Sequence, residues 1–262
     1  MRKKLGLALR IVVAGSVGVA VIVALRSPSL DRDWDDDVRV LAGVESHDRR
    51  SIELTGIRDW QYTRDSVVSK PYFDASFDPS DIVNLWLYEQ QLDATGLIAH
   101  TFVVFEFNDR YGAHRYLGLS VETRREADEE YSLVGGVLRD FEVTHIWATE
   151  QDLVTRRVEY LDYPLTRYRL DIPSEYRARV FVKFVAETAG LATTPQWYNT
   201  LLNNCTSSLI RYVNESEADA IPLHFSYVLT GKIDEYLGKL GYLNPDSSVS
   251  IDRAYLEGNG IR

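Results

Sequence analysis

The sequence predicts an α+β domain with a mostly antiparallel sheet, and two observations support this fold class. Between residues 82 and 122, runs of β-branched and aromatic residues alternate with turn residues, which is typical of strands. From residue 173 onward, apolar residues recur at helical spacing. The 232 residues after the first thirty are enough for one domain with a sizeable core.

The first thirty residues predict a membrane anchor. Arg2, Lys3 and Lys4 precede an apolar run broken only by Arg10, after which residues 11–25 carry no charge. A spanning helix needs about 20 residues, and an arginine near its end can reach the interface and lengthen the span. The basic flank predicts a cytoplasmic N-terminus and an exported body.

Two other interpretations of this segment stay open, a cleaved signal peptide and a simple buried helix. Arg26 and Pro28 disfavour cleavage because small residues should precede a cleavage site. We therefore expect an anchor over residues 1–30 and an exported α+β domain over residues 31–262.

The charge balance excludes nucleic acid as a partner. The first thirty residues hold five basic side chains and no acidic one, which leaves 24 basic against 39 acidic residues in the body. A net charge of −15 cannot neutralise phosphates, because nucleic-acid binding needs a basic face.

The elements follow in order, beginning with an acidic linker at residues 31–37. Residues 51–54 and 57–62 alternate like short strands, and residues 82–91 predict a longer strand, with a short helix as the alternative. Residues 97–107 and 115–122 predict a β-hairpin, because residues 108–112 supply turn chemistry between them.

Helices dominate after the hairpin. We expect a short helix within residues 131–141, a strand over 143–148 and a helix over 151–160. A longer helix opens at Pro173 and Ser174 and ends at Gly190. Its buried face is expected to hold Tyr176, Val180, Phe181, Phe184, Val185 and Thr188. Further short helices are predicted over residues 206–213 and 232–240, and residues 244–262 are polar and expected to be loose.

Cys205 is the only cysteine, so it cannot form a disulfide within the chain. Asn203 and Asn204 precede it and are good helix N-caps, which places the sulfur at the start of a helix. Unsatisfied N–H groups and the helix dipole favour the thiolate there, and the thiolate is the form that attacks carbonyl carbon. The same N–H groups could form an oxyanion hole.

A thiol nucleophile needs a base, which is usually histidine. His47 and His114 lie in polar or turn segments and are expected at the surface, whereas His145 and His224 have apolar neighbours typical of core histidines. His100 opens a strand, where an imidazole can be fixed by the sheet and still face a cleft. Position alone favours His100 as the base and leaves His145 as the alternative.

The hairpin also predicts a third group. With the turn near residues 110–111, His100 lies opposite Val121, so Ser120 or Glu122 shares its face, depending on register. Glu122 could accept the Nδ1 proton and orient the ring. The alternative is an ion pair between Glu122 and a neighbouring arginine on a solvated edge.

Two arginines next to this strand have two possible roles. Arg124 and Arg125 could hold a phosphate or a carboxylate, or could form surface salt bridges. No HExxH, CxxC, P-loop or GxGxxG pattern occurs, so neither a metal nor a nucleotide cofactor is predicted.

Several motifs in a fixed order resemble the Lnb N-terminal periplasmic domain family. They are GIRDWQY at 56–62, AHTF at 99–102, SVETRRE at 120–126, PQWYN at 195–199 and NNCT at 203–206. The similarity covers residues 31–242. The chain has Leu-Thr-Gly at 229–231 where the family has Leu-Pro-Gly, and Glu-Gln-Asp at 150–152 where it has Glu-Arg-Asp.

The resemblance implies a cysteine-dependent acyltransferase similar to the bacteroidal lipoprotein N-acyltransferase. Together with the predicted anchor, it implies a single-pass protein of the bacterial inner membrane whose body, residues 31–262, is a periplasmic domain. It also implies a circularly permuted papain-like thiol fold, like that of lecithin:retinol acyltransferase and NlpC-type peptidases, with the nucleophile at a helix N-terminus. The catalytic residues would be Cys205, His100 and Glu122. Supporting residues would be Ser120, Asn204, Asn203, Tyr198 and Arg124.

The implied reaction moves an acyl chain from a phospholipid through a Cys205 thioester to an amine, such as the N-terminus of a lipoprotein, without a cofactor. One alternative is a thiol peptidase or amidase of the cell envelope. The other is a non-catalytic envelope binding or scaffold domain. The pocket for the acyl acceptor would distinguish a transferase from a hydrolase, and the sequence does not define that pocket.

Overall fold

Strands supply most of the framework. The computed structural model describes residues 23–48, 51–108, 114–217 and 221–261. The strands within these ranges are β1 (Gly43–Asp48), β2 (Ser51–Arg58), β3 (Gln61–Tyr62), β4 (Val67–Ser69), β5 (Tyr72–Phe77), β6 (Ile82–Gln91), β7 (Ala99–Asn108), β8 (His114–Arg124), β9 (Glu142–Thr149), β10 (Leu165–Arg169) and β11 (Val249–Ile251).

The helices are short, with two exceptions that lie late in the chain. They are α1 (Asp36–Arg39), α2 (Leu133–Val137), α3 (Glu150–Thr155), α4 (Ser174–Thr193), α5 (Cys205–Glu217), α6 (Ile233–Lys239) and α7 (Arg253–Asn259). A π-helical turn, Arg156–Tyr160, continues α3. Single 3₁₀ turns occur at Pro79–Asp81, Phe225–Tyr227, Thr230–Lys232 and Pro245–Ser247.

Nine of the described strands form one mixed sheet in the order β1-β2-β9-β8-β7-β6-β10-β11, with β5 also paired to β2. The α+β class is confirmed, but an antiparallel sheet describes it only in part. Arg58 of β2 lies opposite Ala148 of β9 in a parallel bridge. These two strands are far apart in sequence and meet through a long connection, whereas hairpins between neighbouring strands produce antiparallel pairs.

Helices cover the sheet on both faces. Phe181 and Phe184 of α4 pack edge-to-face against Phe105 of β7, and α5 lies beside α4. On the opposite face, α3 and the π-helical turn bury Phe102 and Val104 of the same strand. Because β7 is buried on both faces, its central residues 102–105 are all apolar instead of alternating with polar ones.

Most predicted elements are present, including β6 with the predicted bounds and the β7–β8 hairpin. Helix α4 buries the predicted face from Val180 onward, but it continues past Gly190 to Thr193, so the predicted stop was wrong. A glycine inside a helix costs only about 1 kcal/mol relative to alanine, which tertiary packing overrides.

Both ends of the body are more ordered than expected. Val249–Ile251 adds an edge strand to β10, and Asp252 caps α7 through the Tyr255 N–H, so the C-terminal segment is not loose. Near the other end, Trp34 is buried, and α1 begins within the acidic segment predicted to be a linker.

Residues 1–22, which contain most of the predicted anchor, lie outside the described residues. Among the residues that the structure describes, no helix has the length and apolar character needed to cross a bilayer.

Candidate active site

Cys205 is the first residue of α5, and Asn204 caps this helix. The Asn204 side chain accepts a hydrogen bond from the Ser207 N–H (2.8 Å), while the Ser207 hydroxyl accepts one from the Asn204 N–H (2.9 Å). This reciprocal cap satisfies an early N–H of the helix. The N–H groups of Cys205 and Thr206 precede the first intrahelical bonds and are therefore available to an oxyanion.

Asn203 supports the loop before the helix instead of capping it. Its amide donates to the Trp197 carbonyl (2.9 Å), and its oxygen accepts from the Ser208 hydroxyl (2.9 Å). Of the two asparagines predicted as caps, only Asn204 has that role.

His100, at the start of β7, links the thiol to a polar pair on β8. Its Nε2 lies 2.8 Å from Ser120 Oγ and 3.2 Å from Glu122 Oε1, and Ser120 donates to the same Glu122 oxygen (2.6 Å). The imidazole and the Cys205 thiol line the same cavity and lie close enough to shift each other's pKa. Since Nε2 faces the polar pair, Nδ1 is the nitrogen that remains for sulfur.

The hairpin register explains this arrangement. Phe102 pairs with Ser120, and continuing the ladder places Glu122, not Val121, across from His100. The predicted register was one residue off, so both Ser120 and Glu122 contact the ring. Both also contact Nε2, whereas the Nδ1 contact expected for Glu122 was wrong.

Arg157, a residue that the sequence did not point to, completes the cluster. Its Nη2 donates to Glu122 Oε1 (2.8 Å) and to Ser120 Oγ (3.2 Å), while its Nη1 donates to the Leu153 carbonyl (3.0 Å). The guanidinium lies 4.4 Å from the centre of the Phe102 ring and is almost fully buried. Glu122 therefore lies between two cationic partners.

These contacts shift the pKa of each group. Burial would raise the pKa of the Cys205 thiol, but the charge and hydrogen bond of His100 outweigh it and lower that pKa to about 7. The Thr101 N–H and the Thr206 hydroxyl act in the same direction. Burial would lower the pKa of His100, but Glu122 and the thiolate raise it to about 9. Between these values the thiolate–imidazolium pair is the favoured state.

For the Glu122 carboxylate, too, the neighbouring charges outweigh burial. Burial would raise the pKa of Glu122, but His100 and then Arg157 hold it well below its usual range. Burial lowers the pKa of Arg157 to about 10, against the effect of Glu122. Glu122 is thus a fixed anion at neutral pH, which suits a group that orients an imidazolium.

The cluster opens into a cavity of about 240 Å³. Cys205, His100, Glu122 and Arg157 line it together with apolar residues such as Leu133 and Val228. The cysteine is only 5% exposed, so a substrate must enter this cavity to reach the sulfur.

Tyr198 forms part of the cavity wall. Its ring packs edge-to-face on Tyr131, and its N–H donates to the Phe141 carbonyl (2.9 Å). Burial, followed by the nearby Cys205 thiolate, raises the pKa of its hydroxyl, which stays protonated. Gly136 lets this wall approach α2, since a Cβ there would lie 2.2 Å from Thr200 Oγ1.

Arg124 lies outside the thiol cluster, so it has neither the predicted supporting role nor the ion pair with Glu122 that was the alternative. It is buried at the end of β8, donates to the carbonyls of Val38 (3.1 Å) and Arg39 (2.8 Å), and stacks on Trp34. Its neighbour Arg125 does line the cavity, where it lies 3.6 Å from Asp37.

The other described histidines lie elsewhere. His145 is buried in the core, hydrogen-bonded at both ring nitrogens to hydroxyl groups, and burial lowers its pKa to about 3. His114 is 49% exposed, and His224 stacks on Tyr236. The side chain of His47 lies outside the described residues. Among the described residues, no group of histidine, cysteine and carboxylate side chains has the arrangement of a metal site.

Fold and site together define an α+β domain with a buried thiol held against an imidazole and a carboxylate. The sequence pattern of the Lnb N-terminal periplasmic domain family matches residues 69–230, more than half of the chain, and the chain belongs to this family. The match includes all five residues of the cluster and identifies the protein as a periplasmic protein of the cell envelope. No curated protein and no solved structure matches the chain.

Proposed function

We propose that this protein is a membrane-anchored, cysteine-dependent acyltransferase with a permuted papain-like thiol fold. The observation that supports it best is the chain of contacts from Cys205 through His100 to Ser120 and Glu122, at the floor of a cavity. The order of elements agrees, since the histidine strand comes first, its antiparallel return carries the polar pair, and the thiol helix follows.

The first half-reaction loads the acyl group. The Cys205 thiolate attacks the ester carbonyl of a phospholipid, and the N–H groups at the start of α5 stabilise the oxyanion. The carbon–oxygen bond to the glycerol backbone then breaks, and His100 gives its Nδ1 proton to the leaving alkoxide. The products are a Cys205 thioester and a lysophospholipid.

The second half-reaction passes the acyl group to an amine, such as the N-terminus of a lipoprotein. The amine nitrogen attacks the thioester carbonyl while His100 accepts its proton. The carbon–sulfur bond breaks, an amide forms, and the thiolate–imidazolium pair is restored. Glu122 stabilises the imidazolium in both half-reactions, because Arg157 holds its carboxylate in place.

The burial of the sulfur favours transfer over hydrolysis. Water competes with the amine for a thioester, and a nearly enclosed cysteine limits its access. The low thiol pKa supplies the nucleophile at neutral pH without a cofactor.

The test uses the full chain in phospholipid nanodiscs with a radiolabelled acyl donor. We expect a hydroxylamine-sensitive acyl adduct on wild type that is absent from Cys205→Ala, and transfer of the label to an added diacylated lipopeptide. His100→Gln should also lose the adduct, whereas its matched control His114→Gln, which changes a histidine away from the cavity, should keep it.

Two outcomes would replace this proposal. Cleavage of peptide substrates without movement of acyl label would identify a thiol peptidase or amidase that uses the same cluster. A non-catalytic envelope domain would be identified by two results together. Cys205→Ala would keep the function of wild type, and the Cys205 thiol of folded wild type would resist mild reagents.

A further inference from the structure

Three segments beside the thiol expose large apolar side chains. They are residues 131–137, 199–204 and 223–228, and their most exposed members are Leu133, Val134, Leu201, Leu202, Leu223 and Phe225. We call these six residues the apolar rim. Their exposed fractions range from 46% to 88%.

Hydrogen bonds join the three segments into one surface. The Thr200 hydroxyl donates to the Leu133 carbonyl (3.0 Å), which ties the second segment to the first. The Asn204 amide donates to the carbonyls of Thr200 (2.9 Å) and Tyr227 (2.7 Å), which ties the second to the third. Because Asn204 immediately precedes Cys205, the apolar rim surrounds the start of the thiol helix.

The surface is also free of formal charge. Residues 131–138, 195–210 and 221–231 contain no lysine, arginine, aspartate or glutamate, although 26% of the chain is charged. An exposed apolar patch of this kind marks an interaction site on a soluble domain. Since the body carries a net charge of −15, this is a region of its surface that can approach anionic headgroups without repulsion.

The path of the chain identifies the occupant. The uncharged apolar run at residues 11–25 ends at Arg26, which donates to the carbonyls of Leu138 and Arg139 (3.2 Å each) and pairs with Asp140. These residues directly follow the first rim segment. The apolar run therefore joins the domain beside the apolar rim, and a bilayer that holds the run would lie next to it.

We propose that the apolar rim rests in the interfacial layer of the lipid bilayer, so that the thiol cavity opens onto the membrane surface. Leu133, which belongs to the apolar rim, and Val228, which lies in the third segment, are partly exposed and also line the cavity, so an acyl chain has an apolar path from lipid toward sulfur. Docking of the rim is independent of acyl transfer, whereas entry of the donor by this path rests on the proposed function.

Fluorescence quenching by lipid tests the docking, and the single cysteine makes the design simple. Cys205→Ser removes the only thiol, so Val134→Cys or Leu202→Cys then carries one environment-sensitive label. Val182→Cys is the matched control, because Val182 is 45% exposed on α4. Val182 lies far from the thiol cavity, because its neighbour Phe181 packs on Phe107, at the opposite end of β7 from His100.

The full chain is placed in phosphatidylcholine nanodiscs with or without shallow doxyl-labelled lipid. We expect quenching at positions 134 and 202 to exceed that at position 182 at least threefold, while aqueous iodide shows the reverse order. Equal lipid quenching at all three positions would overturn the proposal. Protection from both quenchers would also overturn it, because residues 1–22 or a second copy would then cover the rim. Neither readout requires turnover, so a failure of acyl transfer is a separate result.

Discussion

The most direct test of the site concerns the titration of Cys205. Its pKa is lowered from an ordinary value of 9.0 to about 7, although burial acts to raise it. His100 is the main cause of the lowering. Replacing His100 with glutamine removes the charge, so burial should then leave the thiol pKa at 9 or above.

The change in reaction rate depends on two opposing quantities, the fraction of thiol that is ionised and the nucleophilicity of the thiolate. At pH 6 a thiol with a pKa of about 7 is ~10% thiolate, and one with a pKa of 9 is ~0.1%, a ratio of about 100. A thiolate of lower pKa is less nucleophilic, and a Brønsted coefficient of roughly 0.4–0.5 reduces that advantage by about eightfold. The net prediction is that His100→Gln reacts roughly tenfold more slowly at pH 6.

The assay measures the rate of thiol modification by methyl methanethiosulfonate, read by intact mass from pH 5 to pH 10. Wild type should show an inflection near pH 7, and His100→Gln should overtake it above about pH 8, because a thiolate that is about eightfold more nucleophilic matches wild type once roughly one-eighth of it is ionised. His114→Gln should follow wild type, and thermal unfolding should show that each variant is folded. Superimposed profiles for wild type and His100→Gln would refute the assigned thiol–imidazole pair.

Three further predictions concern stability. Arg157→Met should lower the free energy of unfolding in urea by about 1.5–3 kcal/mol, because it removes hydrogen bonds to the charged Glu122; an unchanged midpoint would contradict this. Gly136→Ala should destabilise, since its Cβ would lie 2.2 Å from a cavity-wall hydroxyl, whereas Gly190→Ala, whose Cβ meets nothing within 4 Å, should stabilise by up to about 1 kcal/mol. Because the folded-state pKa of His145 is about 3, only the unfolded chain binds a proton at this imidazole when the pH falls just below 6.5. The stability advantage of wild type over His145→Gln should therefore shrink by up to about 1.4 kcal/mol per pH unit, and a constant difference would contradict it.

Local chemistry explains why the sequence could predict the thiol and its base. An asparagine cap before Cys205 and a strand that opens with His100 are properties of short segments. The pairing of His100 with Cys205, more than 100 residues apart in sequence, was predicted from the family resemblance, because no local pattern shows which distant segments lie close together in the fold. The third group stayed open for a simple reason. A hairpin whose turn is uncertain by one residue exchanges the faces of every side chain on the return strand.

The same limit applies to the ends of the body. Val249–Ile251 is too short for an alternation to be evident, and it is a strand because β10 offers a free edge. The acidic segment near Trp34 is ordered because that ring stacks on the guanidinium of Arg124. Such contacts between distant segments override composition, which correctly describes the segment as polar but not as loose.

Arg157 shows most clearly what sequence alone could not supply. Arg156 and Arg157 are adjacent, and any helix directs neighbouring side chains along different directions. Both arginines lie in the π-helical turn, whose wider winding gives side chains other directions than an α-helix does. Arg156 reaches Asp37 (2.6 Å), whereas Arg157 turns inward to Glu122 (2.8 Å). A regular α-helix over residues 151–160, as predicted, would direct these two cations differently. The charge that holds the orienting carboxylate therefore depends on one irregular turn, and π-helical turns are common at functional sites.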